Sequence, residues 1–179
     1  MSASKPTIAT VWLDGCSGCH MSFLDLDQRL LEILDRAELI YSPLVDRKDF
    51  PEWVDVTLVE GAISSESDLE KILKVRAHSG TLVSLGDCAV TSNVPAMRNS
   101  FGVQAVLDRV YVENVSIPHA APSTVIPVLL EHVRPVHEVV QVDVFVPGCP
   151  PSADTIYKLL DNLLSGGPLQ PAQGTRFGA

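Results

Sequence analysis

TIATVWL, residues 7–13, runs directly into DGCSGC, residues 14–19. The first stretch is a short β-rich run and the second a cluster of turn formers, so together they read as a strand ending in a loop that carries Cys16 and Cys19. The hydrophobic period then changes. Phe23, Leu26, Leu30, Ile33 and Leu34 recur at helical spacing, with Asp25, Asp27, Arg29 and Glu32 between them. This pattern predicts one helix of about four turns from His20 onward.

The strand–loop–helix pattern repeats along the chain. Apolar runs cover residues 38–45 and 54–59 (VDVTLV), the latter breaking at Glu60 and Gly61. Ser64, Ser65 and Ser67 are N-cap candidates for a helix marked by Leu69, Ile72, Leu73 and Arg76, which closes at Ser79 and Gly80. TLVSL, residues 81–85, is nearly continuous and apolar, the pattern of a strand buried on both faces, and it ends at Gly86, Asp87 and Cys88. Pro95, Pro118, Pro122, Pro127 and Pro135 interrupt the next segment. It reads as an elaborated crossover with candidate helices over 93–100 and 124–133. VDVFV, residues 142–146, is the last strand, ending in PGCPP at 147–151. Ser152 then caps a helix with Ile156, Leu159, Leu160 and Leu163 on one face, closed by Gly166 and Gly167. The expected fold is α/β, a doubly wound, mostly parallel sheet with helices on both faces. It occupies one domain over residues 1–167, followed by a loosely ordered tail over 168–179.

Composition narrows the function. A chain of 179 residues that is 46% hydrophobic suits one globular domain. Thirteen Lys and Arg against 22 Asp and Glu leave a net charge of −9, so the electrostatic footprint of a nucleic-acid binder is missing. No stretch reaches the roughly 18–20 uninterrupted apolar residues of a membrane span. A cytoplasmic protein without direct membrane contact is expected. In that reducing compartment, four cysteines argue for metal or redox chemistry over disulfides.

The positions of the cysteines carry the most information. Cys16 and Cys19 follow the first expected strand, Cys88 the fourth and Cys149 the fifth, while the third ends on Glu60. With parallel crossovers of the usual hand, these strand ends share the carboxyl edge of the sheet, where ligands of doubly wound folds collect. Chance burial explains one cysteine in a strand well, and four in Gly- and Pro-rich loops poorly. Structural zinc usually shows two close pairs of ligands, whereas here one pair joins two distant single cysteines. An iron–sulfur cube also takes four thiolates and spreads them over a wider volume. Gly15, Gly18, Gly86 and Gly148 suit close backbone approach, and their amides could donate to cluster sulfur. A thioredoxin-like reading of Cys16 and Cys19 leaves Cys88 and Cys149 unexplained.

The set Cys16-Ser17-Gly18-Cys19, Val59-Glu60-Gly61, Gly86-Asp87-Cys88-Ala89 and Pro147-Gly148-Cys149-Pro150-Pro151 resembles the small subunit of nickel–iron hydrogenases. It is also similar to the related subunit of respiratory complex I, which carries adjacent cysteines in the first element where this chain has C-x-x-C. The resemblance, over about residues 7–164, implies a flavodoxin-like domain with Cys16, Cys19, Cys88 and Cys149 as ligands of one proximal [4Fe–4S] cluster. It implies as partners a large subunit bearing the nickel–iron centre and diaphorase subunits bearing iron–sulfur clusters, FMN and the NAD site. Larger members add a C-terminal cluster domain and often an export signal. This chain looks like the short, soluble form in cytoplasmic, NAD-reducing bidirectional hydrogenases. With neither G-x-G-x-x-G nor a P-loop in the chain, NAD is expected on a partner. The first loop holds two candidate ligands in place of a run of Ser and Thr, which argues against FMN here. The remaining alternatives are a zinc-stabilised α/β interaction module and a complex I-like, quinone-linked subunit.

Three further residues lie near the expected site. Glu60 is a candidate for cluster tuning or proton movement, with a solvated or helix-capping carboxylate as the plainer reading. Asp87 either places negative charge near the cluster or, on the plainer reading, caps the following helix or is solvated. His20 is a candidate ligand or proton relay, though a lone histidine at a helix start is more often structural. His119, His132 and His137 lack ligand spacing and are assigned no role.

Overall fold

The computed structural model describes residues 5–117, 120–170, 175 and 177. The first strand, β1 (Thr7–Trp12), leads through the cysteine loop to α1 (Gly18–Leu24) and α2 (Gln28–Arg36), then β2 (Glu38–Tyr41). The next strand, β3 (Val54–Glu60), is followed by the short β4 (Ile63–Ser65), α3 (Glu66–Ala77) and β5 (Ser79–Leu85). After α4 (Asp87–Thr91) and a 3-10 turn (Pro95–Ser100) come α5 (Val103–Asp108), β6 (Leu129–Arg134), β7 (Val144–Val146) and α6 (Ala153–Leu164). Five strands form a sheet in the order β2-β1-β3-β5-β7, every neighbouring pair parallel. The order reverses beside β1, so the carboxyl ends of β1 and β3 flank the switch point.

Side chains alternate across this sheet. Ile8, Leu58, Val83 and Val146 enter the core under α1, α2 and α6, against Phe23, Ile33, Ile156 and Leu160. Val11, Val59 and Leu82 enter the opposite core with Ile72 and Val75 of α3. The central strands are therefore buried on both faces, as their near-continuous apolar sequences require. At the start of α3, the Ser65 hydroxyl accepts the Asp68 amide while the Asp68 carboxylate accepts the Ser65 amide, a reciprocal cap. At α6, Ser152 accepts the Thr155 amide.

The expected four-turn helix is instead two helices. Asp27 adopts φ 52°, and the backbone between Asp25 and Asp27 leaves the helical path. Short acidic side chains that favour turns outweigh a continuous apolar stripe here, while Leu26 and Ile33 still reach the core. Residues 79 and 80 begin β5 and do not close the preceding helix. A Cβ on Gly80 would stand 3.0 Å from the Asp55 carbonyl oxygen, so only a glycine fits this close strand pairing comfortably.

The expected helix over 124–133 is likewise overturned. Its second half is β6, antiparallel to β4 in a separate two-stranded sheet. The Asn99 side chain both donates to and accepts from Val133 backbone, and Arg98 donates to the carbonyls of Ser64 and Leu130. Long-range side-chain bonds thus hold this segment extended. The other candidate helix, 93–100, is a 3-10 turn started by Pro95. Most of the expected tail lies outside the described residues.

Candidate metal centre

The loops after β1 and β3 are fastened together at the switch point. The Leu13 amide donates to the Glu60 carbonyl at 2.9 Å, and Asp14 and Ala62 exchange backbone bonds at 3.0 and 2.7 Å. Gly61, at φ 91°, permits this pairing, because a Cβ there would fall 2.7 Å from the Leu13 carbonyl carbon. The loops after β5 and β7 are joined in the same way. The Asp87 amide donates to the Gly148 carbonyl at 2.9 Å, and Asp87 Oδ1 accepts the Gly148 amide at 2.6 Å.

These two pairings bring all four cysteines to one cavity of about 60 Å³, lined also by Gly18, Glu60, Asp87 and Gly148. Cys16 and Cys149 are exposed at its rim, while Cys19 and Cys88 are half-buried deeper in. The Gly18 amide donates to Cys16 Sγ at 3.4 Å, and Asn93 Nδ2 donates to Cys149 Sγ at 3.7 Å. A Cβ on Gly86 would lie 2.2 Å from Cys19 Sγ, so the thiol rests against bare backbone. Among the described residues, no three His, Cys, Asp or Glu are gathered closely enough to hold a single metal ion. The thiols instead surround a space several times what one water needs. Four soft donors around such a space fit a thiolate-bound cluster.

Two of the four thiols are hard to ionise. Burial pushes the Cys19 thiol above the ordinary thiol range, and Glu60 and the neighbouring thiols raise it further. Burial, then Cys149 and Cys16, push Cys88 up to about 11. These groups resist ionising together unless positive charge is placed between them, which is what a metal supplies to its thiolates.

Glu60 and Asp87 are both buried, so neither is a solvated carboxylate. Glu60 Oε2 accepts the backbone amide of His20 at 2.7 Å, satisfying a free N–H in the first turn of α1. The capping reading of Glu60 thus holds, for a helix distant in sequence. Asp87 staples two cysteine loops together, and the cap of α4 is Gly86 with no side-chain bond. The His20 ring is buried, with Nδ1 2.6 Å from Glu60 Oε2 and Nε2 3.0 Å from Thr10 Oγ1. Thr10 in turn donates to Ser42 Oγ at 2.7 Å. Thr10, Ser42 and Asn93 carry no local sequence signal, because their partners are remote in the chain. His132 and His137 are exposed, and His119 lies outside the described residues. No described helix is long and apolar enough to cross a membrane.

Comparison with known proteins shows the family. The family model of the NADH ubiquinone oxidoreductase 20 Kd subunit matches residues 16–163. The chain is 43% identical to the NAD-reducing hydrogenase HoxS subunit delta of Cupriavidus necator, over 97% of this chain and 86% of that protein. It is 38% identical to a subunit of the F420-non-reducing hydrogenase vhu of Methanocaldococcus jannaschii, over 89% of this chain and 56% of that longer protein. A crystal structure of NAD+-reducing [NiFe]-hydrogenase in the H2-reduced state contains a chain that superposes with a TM-score of 0.91 at 37% identity, covering 97% of this chain and 98% of that one. The chain therefore belongs to the NADH ubiquinone oxidoreductase 20 Kd subunit family and is related to hydrogenase subunits.

Proposed function

We propose that this chain is an electron-relay subunit of a cytoplasmic nickel–iron hydrogenase, with Cys16, Cys19, Cys88 and Cys149 holding one [4Fe–4S] cluster. The observation that carries the reading is the convergence of all four cysteines, from the segments that follow three separate strands, on one cavity at the switch point of the sheet. The hydrogenase relatives favour this reading over a complex I-like, quinone-linked subunit. When bound, the cluster supplies one-electron transfer.

The chain's own residues provide the holder. The Glu60 and Gly61 turn sets the Cys16 and Cys19 loop against β3, and Asp87 sets Cys88 against Cys149. The Gly18 amide donates to sulfur, at Cys16, whereas the amides of Gly86 and Gly148, expected from the sequence to do the same, are taken by the Val146 carbonyl and the Asp87 carboxylate. Because electron tunnelling weakens steeply with distance, a subunit with one relay centre needs a donor and an acceptor close by. The exposed thiols Cys16 and Cys149 place the cavity rim at the surface, where a large subunit bearing the nickel–iron centre could approach. NAD-reducing diaphorase subunits would take the electrons onward.

The test is electron paramagnetic resonance on the anaerobically purified complex. Hydrogen should reduce an iron–sulfur signal that a Cys149→Ser substitution in this chain removes. A hydrogen-reducible signal set that is identical in the variant would refute the assignment.

A further inference from the structure

A continuous chain of buried polar side chains runs from the cavity wall into the sheet. Glu60 is 2% exposed, His20 7%, Thr10 2% and Ser42 3%. Successive contacts measure 2.6, 3.0 and 2.7 Å. The far end is held as well, because Ser42 Oγ accepts the Leu44 amide at 3.1 Å. The chain crosses three neighbouring strands at the switch point: Glu60 ends β3, Thr10 lies in β1, and Ser42 directly follows β2.

Burying a carboxylate and an imidazole is costly unless both are fully bonded, and well-packed apolar side chains would stabilise the fold at least as well. The arrangement therefore calls for a role beyond stability. Its geometry supplies one. Both donors to Glu60 Oε2 come from a single residue, the backbone amide and ring of His20, and the ring is itself held by Thr10. The orientation of the Glu60 carboxylate on the cavity wall thus depends on how the His20 ring is held.

We infer that His20 is a positioning residue, which holds the Glu60 charge against the group bound by the four thiols and so sets that group's reduction potential. This inference rests on the iron–sulfur reading. A fixed negative charge beside a cluster lowers its potential, and the hydrogen bonds that aim the charge share in the effect.

The experiment is a redox titration of the native complex followed by electron paramagnetic resonance, with iron and sulfide content measured alongside. Glu60→Gln should raise the potential of the cluster. His20→Leu should shift it as well, and His20→Asn, which can again donate near the Nδ1 position, should bring it back toward the native value. In the Glu60→Gln background, His20→Leu should produce no further shift, because the two residues act as one unit. A His20→Leu shift that persists undiminished in that background, or no shift at full iron content, would overturn the inference. Should His20→Leu fail to assemble, Thr10→Val breaks the chain one link further from the cavity and takes its place in both backgrounds. Native complex with no iron or sulfide on this chain would overturn the cluster reading itself, before any variant is compared.

Discussion

Replacing Gly86 with alanine should abolish occupancy of the thiol site while leaving the fold standing. Gly86 sits at φ 82°, ψ 161°, a region open essentially to glycine alone, where any other residue is strained by about 1–3 kcal/mol. Gly102 has nearly the same backbone, φ 80° and ψ 159°, so Gly102→Ala carries the same strain. Their surroundings differ. A Cβ at residue 102 meets only the flexible Glu131 carboxylate at 3.6 Å, whereas at residue 86 it falls 2.2 Å from Cys19 Sγ. Heavy atoms normally sit about 3.5–4 Å apart, so the Cys19 sulfur must retreat by at least about 1.3 Å. That shift is far outside the tolerance of a metal–thiolate bond, about 0.2 Å. Both variants should lose a few degrees in melting temperature, since 1 kcal/mol is worth about 2–4 °C in a chain of this size. Only Gly86→Ala should also lose its iron, its sulfide and its visible absorbance. Full metal content in Gly86→Ala, or equal losses in both variants, would refute the reasoning that places Cys19 against this glycine.

Other consequences follow from the same structure. Cys16→Ser and Cys88→Ser should each prevent assembly of a complete four-thiolate cluster, seen as loss of the charge-transfer absorbance; an unchanged spectrum removes that residue from the ligand set. Metal-free chain should be labile in alkali. Burial and neighbouring thiolates raise Cys88 from an ordinary 9.0 to about 11 in the folded state. A group raised on folding favours the fold while protonated, so that contribution is present below about pH 9 and fades toward pH 11. Melting curves across that window should fall, and flat curves would count against the burial of Cys88. Leu160→Ala in α6 removes a side chain that is 0% exposed in the core under the sheet, and should cost about 2–5 kcal/mol by denaturant unfolding. Asp161→Asn, which weakens only the exposed Arg36 pair, should cost less than about 1 kcal/mol in the same assay.

The five main strands were legible because each is a short apolar run bounded by turn formers, and the parallel pairing follows where helices join them, as between β1 and β2 or β3 and β5, although β2 runs on to β3 without one. What the sequence hid was decided at long range. The stripe through Phe23, Leu26, Leu30 and Ile33 promises one helix, and the turn at Asp25–Asp27 breaks it without disturbing which residues reach the core. Residues 129–134 show no strong local preference, and become a strand because Arg98 and Asn99 bond to their backbone. The candidate site divides in the same way. The four cysteines stood out because each closes a strand. Their supports did not: Glu60 caps a helix 40 residues earlier in the chain, and Asp87 binds a loop 61 residues later. Contacts of that kind depend on sheet order, which hydrophobic periodicity does not encode.

Whether the four thiols that follow β1, β5 and β7 hold one iron–sulfur cluster is decided by metal and sulfide analysis of the anaerobically purified chain in its complex. About four irons and four sulfides should be assignable to this chain by comparison with its Cys149→Ser variant. One zinc and no sulfide in their place would contradict the iron–sulfur reading.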